Sequence, residues 1–417
     1  MGLSSLPAPT IGRGYQTRLP DARGRMRCAS AMYASASTAT PTTSGRVVGS
    51  RRAPARGSPG TSRGPVAGPF GSRSGVTGSD RASLGRRPGA RRPARLTVNA
   101  VSADPAADPG PVPVTDEPPL RYEIVKGALV RWSAESPSGP HPPTAVLIHG
   151  ILGSRRNLLS FAKRLAQAFP SWQFVLVDLR CHGQTASMEN PPAGANNVVS
   201  AAKDVLGVLN HLKIYPHTLL GHSFGGKVAM SMVHQFGKQL PRPVQVWVLD
   251  TVPGDVWCEV GDHPRDTIEH ARTIPMPIAT RKALVDSLTG AGFTVEGAQW
   301  MTTNLKPAPG ATNGELTWTF DLEGIVDMYR SYEATDLWPM LETQPRGLEV
   351  DFVRAERSAF VWTEEDIARI GSYGGRVHYL HDSSHWVHID NPEGLLEILA
   401  PSFGALDRTQ EHKEEFR

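Results

Sequence analysis

The chain has 417 residues with 44 basic and 40 acidic side chains, but its charge is unevenly distributed. Residues 1–100 hold 17 arginines, no lysine and two acidic residues, which leaves 27 basic and 38 acidic residues in the rest of the chain, a net charge of −11. A nucleic-acid-binding protein needs basic residues clustered on a folded face. The acidic remainder therefore excludes nucleic acid as a predicted partner, and no stretch is apolar for long enough to predict a transmembrane helix.

The Arg-rich first hundred residues are predicted to be an organelle-targeting leader. Ser, Ala, Gly and Pro fill most of this segment, which leaves too little apolar surface to offset the entropy of folding. Arg-rich, Ser-rich and acid-poor leaders are typical of chloroplast and mitochondrial transit peptides. The sequence Val-Asn-Ala-Val at 98–101 resembles a chloroplast stromal cleavage site. We therefore expect a chloroplast stromal protein, with the mitochondrion as the alternative destination and a disordered basic arm that binds RNA or acidic lipid as the competing interpretation.

The three cysteines indicate neither a disulfide framework nor a metal site. Cys28 lies in the leader, and Cys181 and Cys258 are far apart, with no CxxC spacing. This pattern suits a reducing compartment. No metal and no other cofactor is predicted.

Ordered structure is predicted to begin near residue 120, after a linker rich in Pro, Asp and Ala at 101–119. Two segments with alternating apolar and polar residues, 120–125 and 128–132, predict a half-buried β-hairpin. Buried strands alternate with helices in the next part of the chain, which predicts right-handed crossovers and a parallel sheet. The predicted strands are 144–148, 172–178, 217–220 and 244–250, and the predicted helices are 158–169, 198–212 and 224–236.

The alternation is interrupted at 251–342, where the sequence has many helical patterns and no convincing buried strand. Strands resume at 348–353 and 376–380, and a helix at 392–399 closes the core before a charged tail at 406–417. An insertion of about 90 residues is far longer than an ordinary connection, and long insertions at the functional end of a sheet are usually lids. Counted with both hairpin strands, this helical lid lies between the sixth and seventh strands.

The strongest motif is Gly221–Gly225, which reads Gly-His-Ser-Phe-Gly between a predicted strand and a predicted helix. This is the context of a nucleophile elbow, in which a serine occupies a strained turn and glycines allow the strand and helix to approach closely. The sequence therefore predicts Ser223 as a nucleophile. A plain glycine turn is the alternative.

The loop His149–Gly153 directly follows the first buried strand and reads His-Gly-Ile-Leu-Gly. Acyl transfer needs two backbone N–H donors for the oxyanion. We expect one donor from Phe224, after the nucleophile, and one from Ile151, with His149 and Gly150 supporting the loop.

A serine hydroxyl needs a base to take its proton, and the chain order for this motif is Ser, then acid, then His. His381, His385 and His388 follow the last predicted strand, 376–380, and are the candidates. His385 is predicted as the base because it lies in the loop before the last helix, and His388 is its competitor. His182 precedes the serine, so together with Asp178 it is predicted to pin the neighbouring loop.

The acid has three candidates. Asp250 ends the strand 244–250 and can reach the imidazole from the neighbouring strand end, so it is preferred, with Glu356 and Glu323 as rivals. Many serine hydrolases carry the acid after a later strand, but there Ser358 stands about where the carboxylate is expected. Roles follow geometry and not sequence position, so all three carboxylates stay open at this point.

Taken together, the motifs at 149–153, 178–183, 221–226 and 383–388 resemble the α/β-hydrolase superfamily over residues 120–405. The resemblance implies an α/β-hydrolase fold, with a mostly parallel sheet and helices on both faces. More narrowly, the set looks like the plant and algal relatives of abhydrolase domain-containing protein 11 and similar bacterial esterases.

Those esterases place the acid after the sixth strand, which falls on Asp250, and have a serine that matches Ser358 and helps arrange the triad. Gly-His-Ser-Phe-Gly-Gly-Lys at 221–227, with the stretches 320–325 and 328–332, particularly resembles the chloroplast branch. The family more often has Asn where this chain has Cys181. The hydrogen bonding of the loop 178–183 is therefore expected to differ from that of the family, whereas the triad is not affected.

The resemblance implies a metal-free serine hydrolase whose partner is a small acyl ester, thioester or lipid. A large apolar pocket favours lipid-like acyl groups and a tight one favours short esters. Fold alone does not exclude an acyltransferase, a C–C bond lyase or a ligand receptor that retains the triad, and a receptor would turn over slowly. Candidate walls of the acyl pocket come from the lid: Trp257, Met276, Trp300, Met301 and Leu305.

Overall fold

The computed structural model describes residues 117–131, 141–240, 245–256, 263–358 and 360–414, with side chains as far as residue 404. The predicted leader, its cleavage site and most of the predicted linker lie outside the described residues. Within them, the strands in chain order are β1 (Tyr122–Lys126), β2 (Thr144–Ile148), β3 (Gln173–Val177), β4 (Thr218–His222), β5 (Gln245–Leu249), β6 (Leu305–Pro307), β7 (Leu316–Trp318), β8 (Glu349–Arg357) and β9 (Arg376–Ser384).

Seven of these strands form one sheet in the order β1-β3-β2-β4-β5-β8-β9. Only β1 runs antiparallel to its neighbour, and the other pairs are parallel. Strand β2 shows why the sheet is internal: all five of its residues are buried. Val146 and Ile148 point into one hydrophobic cluster while Ala145 and Leu147 point into the other, as the two-residue period of a strand requires. The parallel sheet is thus covered on both faces.

The helices of the described residues are α1 (Arg155–Ala168), α2 (Val198–Leu212), α3 (Phe224–Phe236), α4 (Pro264–Thr273), α5 (Arg281–Gly290), α6 (Val295–Met301), α7 (Leu322–Ala334), α8 (Trp338–Glu342), α9 (Glu364–Ser372), α10 (Val387–Asp390) and α11 (Pro392–Glu414). Helices α2, α3 and α9 contribute to one cluster, and α1 and α11 to the other. Helix α11 continues past Leu399, where its end was predicted. The family fold inferred from the motifs is therefore confirmed.

The predicted hairpin is only half formed. Its first strand is β1, which pairs with β3. Ala128–Arg131 is not a strand: Leu129 N–H donates to Pro170 O at 2.9 Å and Val130 N–H to Gly127 O at 3.1 Å, which makes a turn. The prediction for Trp132 lies outside the described residues. Alternation over so few residues does not distinguish a strand from a turn that packs one apolar side chain.

The lid, residues 251–342, lies between β5 and β8, as the interrupted alternation predicted. Because the second hairpin strand does not form, these are the fifth and sixth strands of the sheet and not the sixth and seventh. The lid contains helices α4 to α8 and one small antiparallel pair, β6 with β7, which the sequence did not predict. It therefore brings a separate helical layer to the carboxyl ends of the parallel strands.

Candidate active site

Ser223 lies in the sharp turn between β4 and α3. Its φ is 54° and its ψ is −118°, a region that residues with a side chain rarely adopt. A Cβ at Gly221 would lie 2.1 Å from Gly225 O, and a Cβ at Gly225 would lie 2.3 Å from Ile148 O. Only glycine fits these two positions, so the packing of strand against helix dictates the motif.

Positive φ recurs at the carboxyl ends of the strands. Leu152 follows β2, Cys181 follows β3, Ser223 follows β4 and Asp250 follows β5, with φ between 51° and 62°. None of them is a glycine. The backbone strain of the sheet is concentrated at the edge where the predicted site residues lie.

Asp250 is completely buried and contacts His385 directly. Its Oδ2 accepts a hydrogen bond from His385 Nδ1 at 2.9 Å and another from the Ser358 hydroxyl at 3.0 Å. Its Oδ1 accepts from Ala355 N–H at 3.1 Å. Because Nδ1 of His385 donates to this carboxylate, Nε2 is left free of that role and can accept a proton.

The two rival carboxylates, Glu356 and Glu323, bind residues other than His385. Glu356 is exposed and accepts from Asp382 N–H at 2.9 Å. Glu323 forms a two-point ion pair with Arg272 on the lid surface, at 2.9 and 3.1 Å. Neither is a partner of His385, and the structure brings Asp250 to it instead.

The competing histidines also differ from His385. His381 is exposed beside Glu356. His388 is buried, and burial lowers its pKa to about 4. His388 lines the same cavity as Ser223 and His385.

The amides predicted to bind an oxyanion come from two segments next to Ser223: α3, which follows it, and the loop 149–153, where a Cβ at Gly150 would lie 3.3 Å from Ser223 Cβ. Phe224 begins α3, and the first N–H groups of a helix have no intrahelical acceptor and lie at the positive end of its dipole. In the other loop, Leu152 N–H donates to His182 Nε2 at 3.0 Å and Gly153 N–H to Gly150 O at 3.1 Å. The Ile151 amide lies between these anchored groups.

Two buried histidines hold this loop. His149 Nδ1–H donates to Gly150 O at 2.7 Å, and its Nε2 accepts from Leu179 N–H at 3.0 Å. His182 Nδ1–H donates to Arg180 O at 2.7 Å, so its Nε2 is the acceptor for Leu152. Burial lowers the pKa of His149 to about 4 and that of His182 to about 3. Both rings are therefore neutral near pH 7, which is the state that lets Nε2 accept.

Asp178 stabilises the start of α1 below the same loop. Its carboxylate accepts from Arg155 N–H at 2.8 Å and from Gln184 N–H at 2.9 Å, and it forms a buried ion pair with the Arg155 guanidinium. Asp178 and His182 thus both act on the loop beside Ser223.

His222 is a site residue that sequence reasoning missed. Its Nε2–H donates to the backbone oxygen of His385 at 2.7 Å, and the two rings lie 4.6 Å apart. Burial holds the pKa of His222 well below its ordinary value. The contact joins the nucleophile turn to the loop of His385. Its only sequence signal is a histidine at the variable position of the glycine motif.

A cavity of about 760 Å³, including its open mouth, connects Ser223, His385 and the loop of Ile151. In the described residues no Lys, Arg, Asp or Glu side chain lines it. Of the predicted walls, Trp300 and Met301 line the cavity, and Trp257 lies outside the described residues. Other apolar walls are Leu158, Leu288, Phe293, Ala298 and Trp386.

Two predicted walls are wrong. Leu305 lies in β6, where it pairs with Trp318 and is buried inside the lid. Met276 packs against the hydrophobic cluster beside α4. Both side chains pack in or against the hydrophobic cluster that the lid shares with one face of the sheet, and not toward the cavity.

The described part of the chain contains no group of three His, Cys, Asp or Glu side chains placed to hold a metal ion. It also contains no helix with the length and apolarity needed to span a membrane.

Comparison with known proteins agrees with the fold. A family model described as alpha/beta hydrolase family matches residues 145–398. The chain is 29% identical over 288 residues to the sn-1-specific diacylglycerol lipase ABHD11 of Xenopus laevis, covering 67% of this chain and 82% of that protein. It is 24% identical to the mouse protein of the same name, covering 75% of this chain and 94% of the relative.

Esterases are also among the similar proteins. The chain is 23% identical to esterase YbfF of Escherichia coli, covering 61% of this chain and 90% of the esterase. A solved structure titled marine microorganism esterase superposes with a TM-score of 0.53 and 20% identity, covering 68% of this chain and 98% of that one. This structural likeness concerns the fold alone.

Proposed function

Because the chain belongs to the alpha/beta hydrolase family, we propose that it cleaves carboxylic esters or thioesters, with Ser223 as nucleophile, His385 as base and Asp250 as the orienting acid. One observation carries the proposal: the 2.9 Å contact of Asp250 Oδ2 with His385 Nδ1, beside a cavity that also contains Ser223. A buried carboxylate on Nδ1 fixes the tautomer in which Nε2 is the base.

The reaction has two halves. His385 Nε2 takes the proton of the Ser223 hydroxyl as Oγ attacks the acyl carbon, and the imidazolium then gives that proton to the leaving alcohol or thiol. The acyl group stays on Ser223 until a water, deprotonated by the same nitrogen, displaces it. Asp250 stabilises the positive charge on His385 in both halves.

The amides of Ile151 and Phe224 bind the oxyanion of each tetrahedral intermediate. Preorganised donors of this kind supply much of the rate enhancement in acyl transfer. His182 and His149 keep the first amide in place through the neutral rings described above, and Ser358 holds Asp250.

The substrate is an uncharged ester with an apolar acyl group. No charged side chain lines the cavity in the described residues, and its walls are mostly apolar. The relatives named diacylglycerol lipase and esterase support this class. The apolar walls of the cavity favour an apolar acyl chain over a small or polar acyl group.

Labelling with a fluorophosphonate tests the nucleophile directly. The wild-type chain should form a covalent phosphonyl adduct on Ser223, and Ser223→Ala should form none while its melting temperature stays close to wild type. Hydrolysis of p-nitrophenyl esters should fall by about 10⁴-fold or more in the variant. Turnover near the wild-type rate by purified Ser223→Ala would overturn the proposal.

The place of action in this proposal is the chloroplast stroma. Its support is the composition of residues 1–100 and the short motif at 98–101. N-terminal sequencing of protein from the native organelle should find a mature chain that begins near residue 100. A mature N-terminus before about residue 60 would contradict the transit-peptide rule.

A further inference from the structure

Lys227 lies one turn after Ser223 in α3, and its side chain is completely buried. Its Nζ donates to three main-chain carbonyls: Gly254 O at 2.7 Å, Tyr332 O at 2.8 Å and Thr335 O at 2.7 Å. An ammonium group has three N–H donors, so the three carbonyls use all of them. A neutral amine has only two N–H donors, so one of the three carbonyl oxygens would face the lone pair of the nitrogen.

These carbonyls belong to the two stems of the lid, which we define as 251–255 and 332–337. Tyr332 lies in the last turn of α7 and Thr335 caps it, so their oxygens form part of the negative end of the helix dipole. The stems also touch each other, since Leu337 N–H donates to Pro253 O at 3.0 Å. One side chain thus holds both stems on the helix that begins after Ser223.

The stems are connected to the cavity through α4. Helix α4 packs against α7, and Arg265 forms a two-point ion pair with Glu333 at 3.1 and 2.6 Å. Helix α4 contributes Pro264 and Thr267 to the cavity wall. A displacement of the stems would therefore move the wall.

The same displacement would leave Ser223 in place. The Ser223 N–H donates to Leu249 O at 2.8 Å, so the sheet holds the nucleophile directly.

We propose that Lys227 is a positioning residue: its ammonium fixes both lid stems over Ser223 and sets the affinity for esters whose acyl chain reaches the lid. This inference rests on the ester hydrolysis proposed above. Lys227 does not line the cavity, so it acts on substrate only through the position of the lid.

The surroundings of Lys227 make this anchor sensitive to pH. Burial lowers the pKa of Lys227 to about 7, while the charges of Asp255, Asp336 and Glu333 act in the opposite direction. The Tyr332 ring, 4.9 Å from Nζ, is the other group that faces the ammonium. The ammonium is therefore lost as the pH rises through about 7, and with it one of the three hydrogen bonds.

The experiment compares p-nitrophenyl octanoate, whose chain reaches the lid, with p-nitrophenyl acetate, whose acyl group does not. For the wild-type chain, the ratio of the octanoate KM to the acetate KM should rise as the pH is raised through about 7, because only octanoate binding depends on the lid. This measurement needs no variant. A ratio that stays constant from about pH 6 to about pH 9 would overturn the inference.

Lys227→Met keeps most of the length of the side chain and removes its donors. It should raise the octanoate KM by about tenfold, change kcat by less than about threefold and abolish the pH dependence of the KM ratio. Lys282→Met, which removes an exposed lysine of the lid paired with Asp286, should match wild type. Equal changes for both esters, or a loss in kcat alone, would show a general structural role and overturn the inference.

Fluorophosphonate labelling of Ser223 in the wild type separates the two proposals. If Ser223 is labelled and the KM ratio does not change, the role of Lys227 is wrong and ester hydrolysis stands. If Ser223 is not labelled, the proposed function itself fails. Should Lys227→Met prove unfolded by its melting temperature, the wild-type pH series decides alone.

Discussion

The carboxyl edge of the sheet and the lid above it are held by different kinds of interaction. At the edge, Asp250 and Ser223 are buried and their backbone groups are bonded to neighbouring strands. In the lid, Arg265–Glu333 and Arg272–Glu323 are exposed ion pairs, and such pairs contribute about 1 kcal/mol or less. In the proposed function, the chemistry lies at the edge of the sheet and substrate selection lies in the lid. Changes at the edge should alter kcat, and changes in the lid should alter KM.

The largest expected effect is at the rigid edge. Asp250→Asn should reduce kcat by about 10⁴-fold with the fold intact, because the amide favours the wrong tautomer of His385. Steady-state kinetics with p-nitrophenyl esters measure the loss. Glu356→Gln is the matched control and should be mild, since Glu356 is exposed and bonded elsewhere. If the control loses activity and Asp250→Asn keeps it, the acid is misassigned.

The second effect concerns the loop of Ile151. His182→Phe removes the acceptor of Leu152 N–H and should reduce kcat by about 10²-fold, because the oxyanion donor loses its alignment. His182→Gln can place an oxygen near Nε2 and should recover much of the rate. Equal kcat values for the two variants at matched melting temperatures would show that the hydrogen bond to Leu152 does not matter for catalysis.

The third effect is the acid stability of the same edge. Burial lowers the pKa of His149 and His388 to about 4 and that of His182 to about 3, from an ordinary 6.5. Below pH 6.5 the unfolded chain binds protons that the folded protein excludes. The contribution of these groups to stability is full above pH 6.5 and is lost as the pH falls toward 4.

Each such histidine adds a slope of about 1.4 kcal/mol per pH unit to the free energy of unfolding near pH 5. Urea unfolding at a series of pH values measures the total slope. His182→Gln should lower this slope by about 1.4 kcal/mol per pH unit, because one proton fewer is taken up on unfolding. An unchanged slope in that variant would mean that His182 is charged in the folded protein.

The smallest effect is expected in the lid. Phe293 lines the cavity, whereas Met276 was predicted to line it and does not. Phe293→Ala should raise KM for p-nitrophenyl octanoate by about fivefold at nearly constant kcat, because it removes apolar contact made equally in the ground and transition states. Met276→Ala should leave both parameters unchanged. A fall in kcat for Phe293→Ala would contradict the expectation that changes in the lid alter KM and not kcat.

The sequence predicted the edge better than the lid for a physical reason. Ser223 and Asp250 each follow a buried strand, and His385 follows the edge strand β9. Parallel strands bring their carboxyl ends together, so local patterns were enough to place the three residues near one another. The contact of His222 with the His385 backbone joins residues 163 apart, and no local pattern encodes it. The choice between Asp250 and its rivals likewise depended on which carboxylate the fold brings to His385.

The lid was predicted as a helical insertion, but its cavity walls were not. Which face of a lid helix meets the substrate depends on how short helices pack on one another. Leu305 lies in the β6 strand, which was not predicted, and Met276 packs against the hydrophobic cluster. The half-formed hairpin is a similar case, because few residues at a sheet edge do not distinguish a strand from a turn. The spacing of apolar residues identifies helices and strands. Tertiary packing then decides which part of the protein each side chain contacts.

The positive φ angles at Leu152, Cys181, Ser223 and Asp250 store backbone strain at the edge where the proposed site lies. A left-handed conformation disfavours any side chain by roughly 1 kcal/mol or more. Glycine would relieve this strain at Ser223, so Ser223→Gly should be more stable than the wild type while it loses the proposed nucleophile. At Leu152 and Asp250, glycine would also remove buried contacts, so no gain in stability is expected there. A search for thermostable variants that does not assay turnover will therefore favour an inactive chain at Ser223, because the serine that the proposed chemistry needs is also a source of strain.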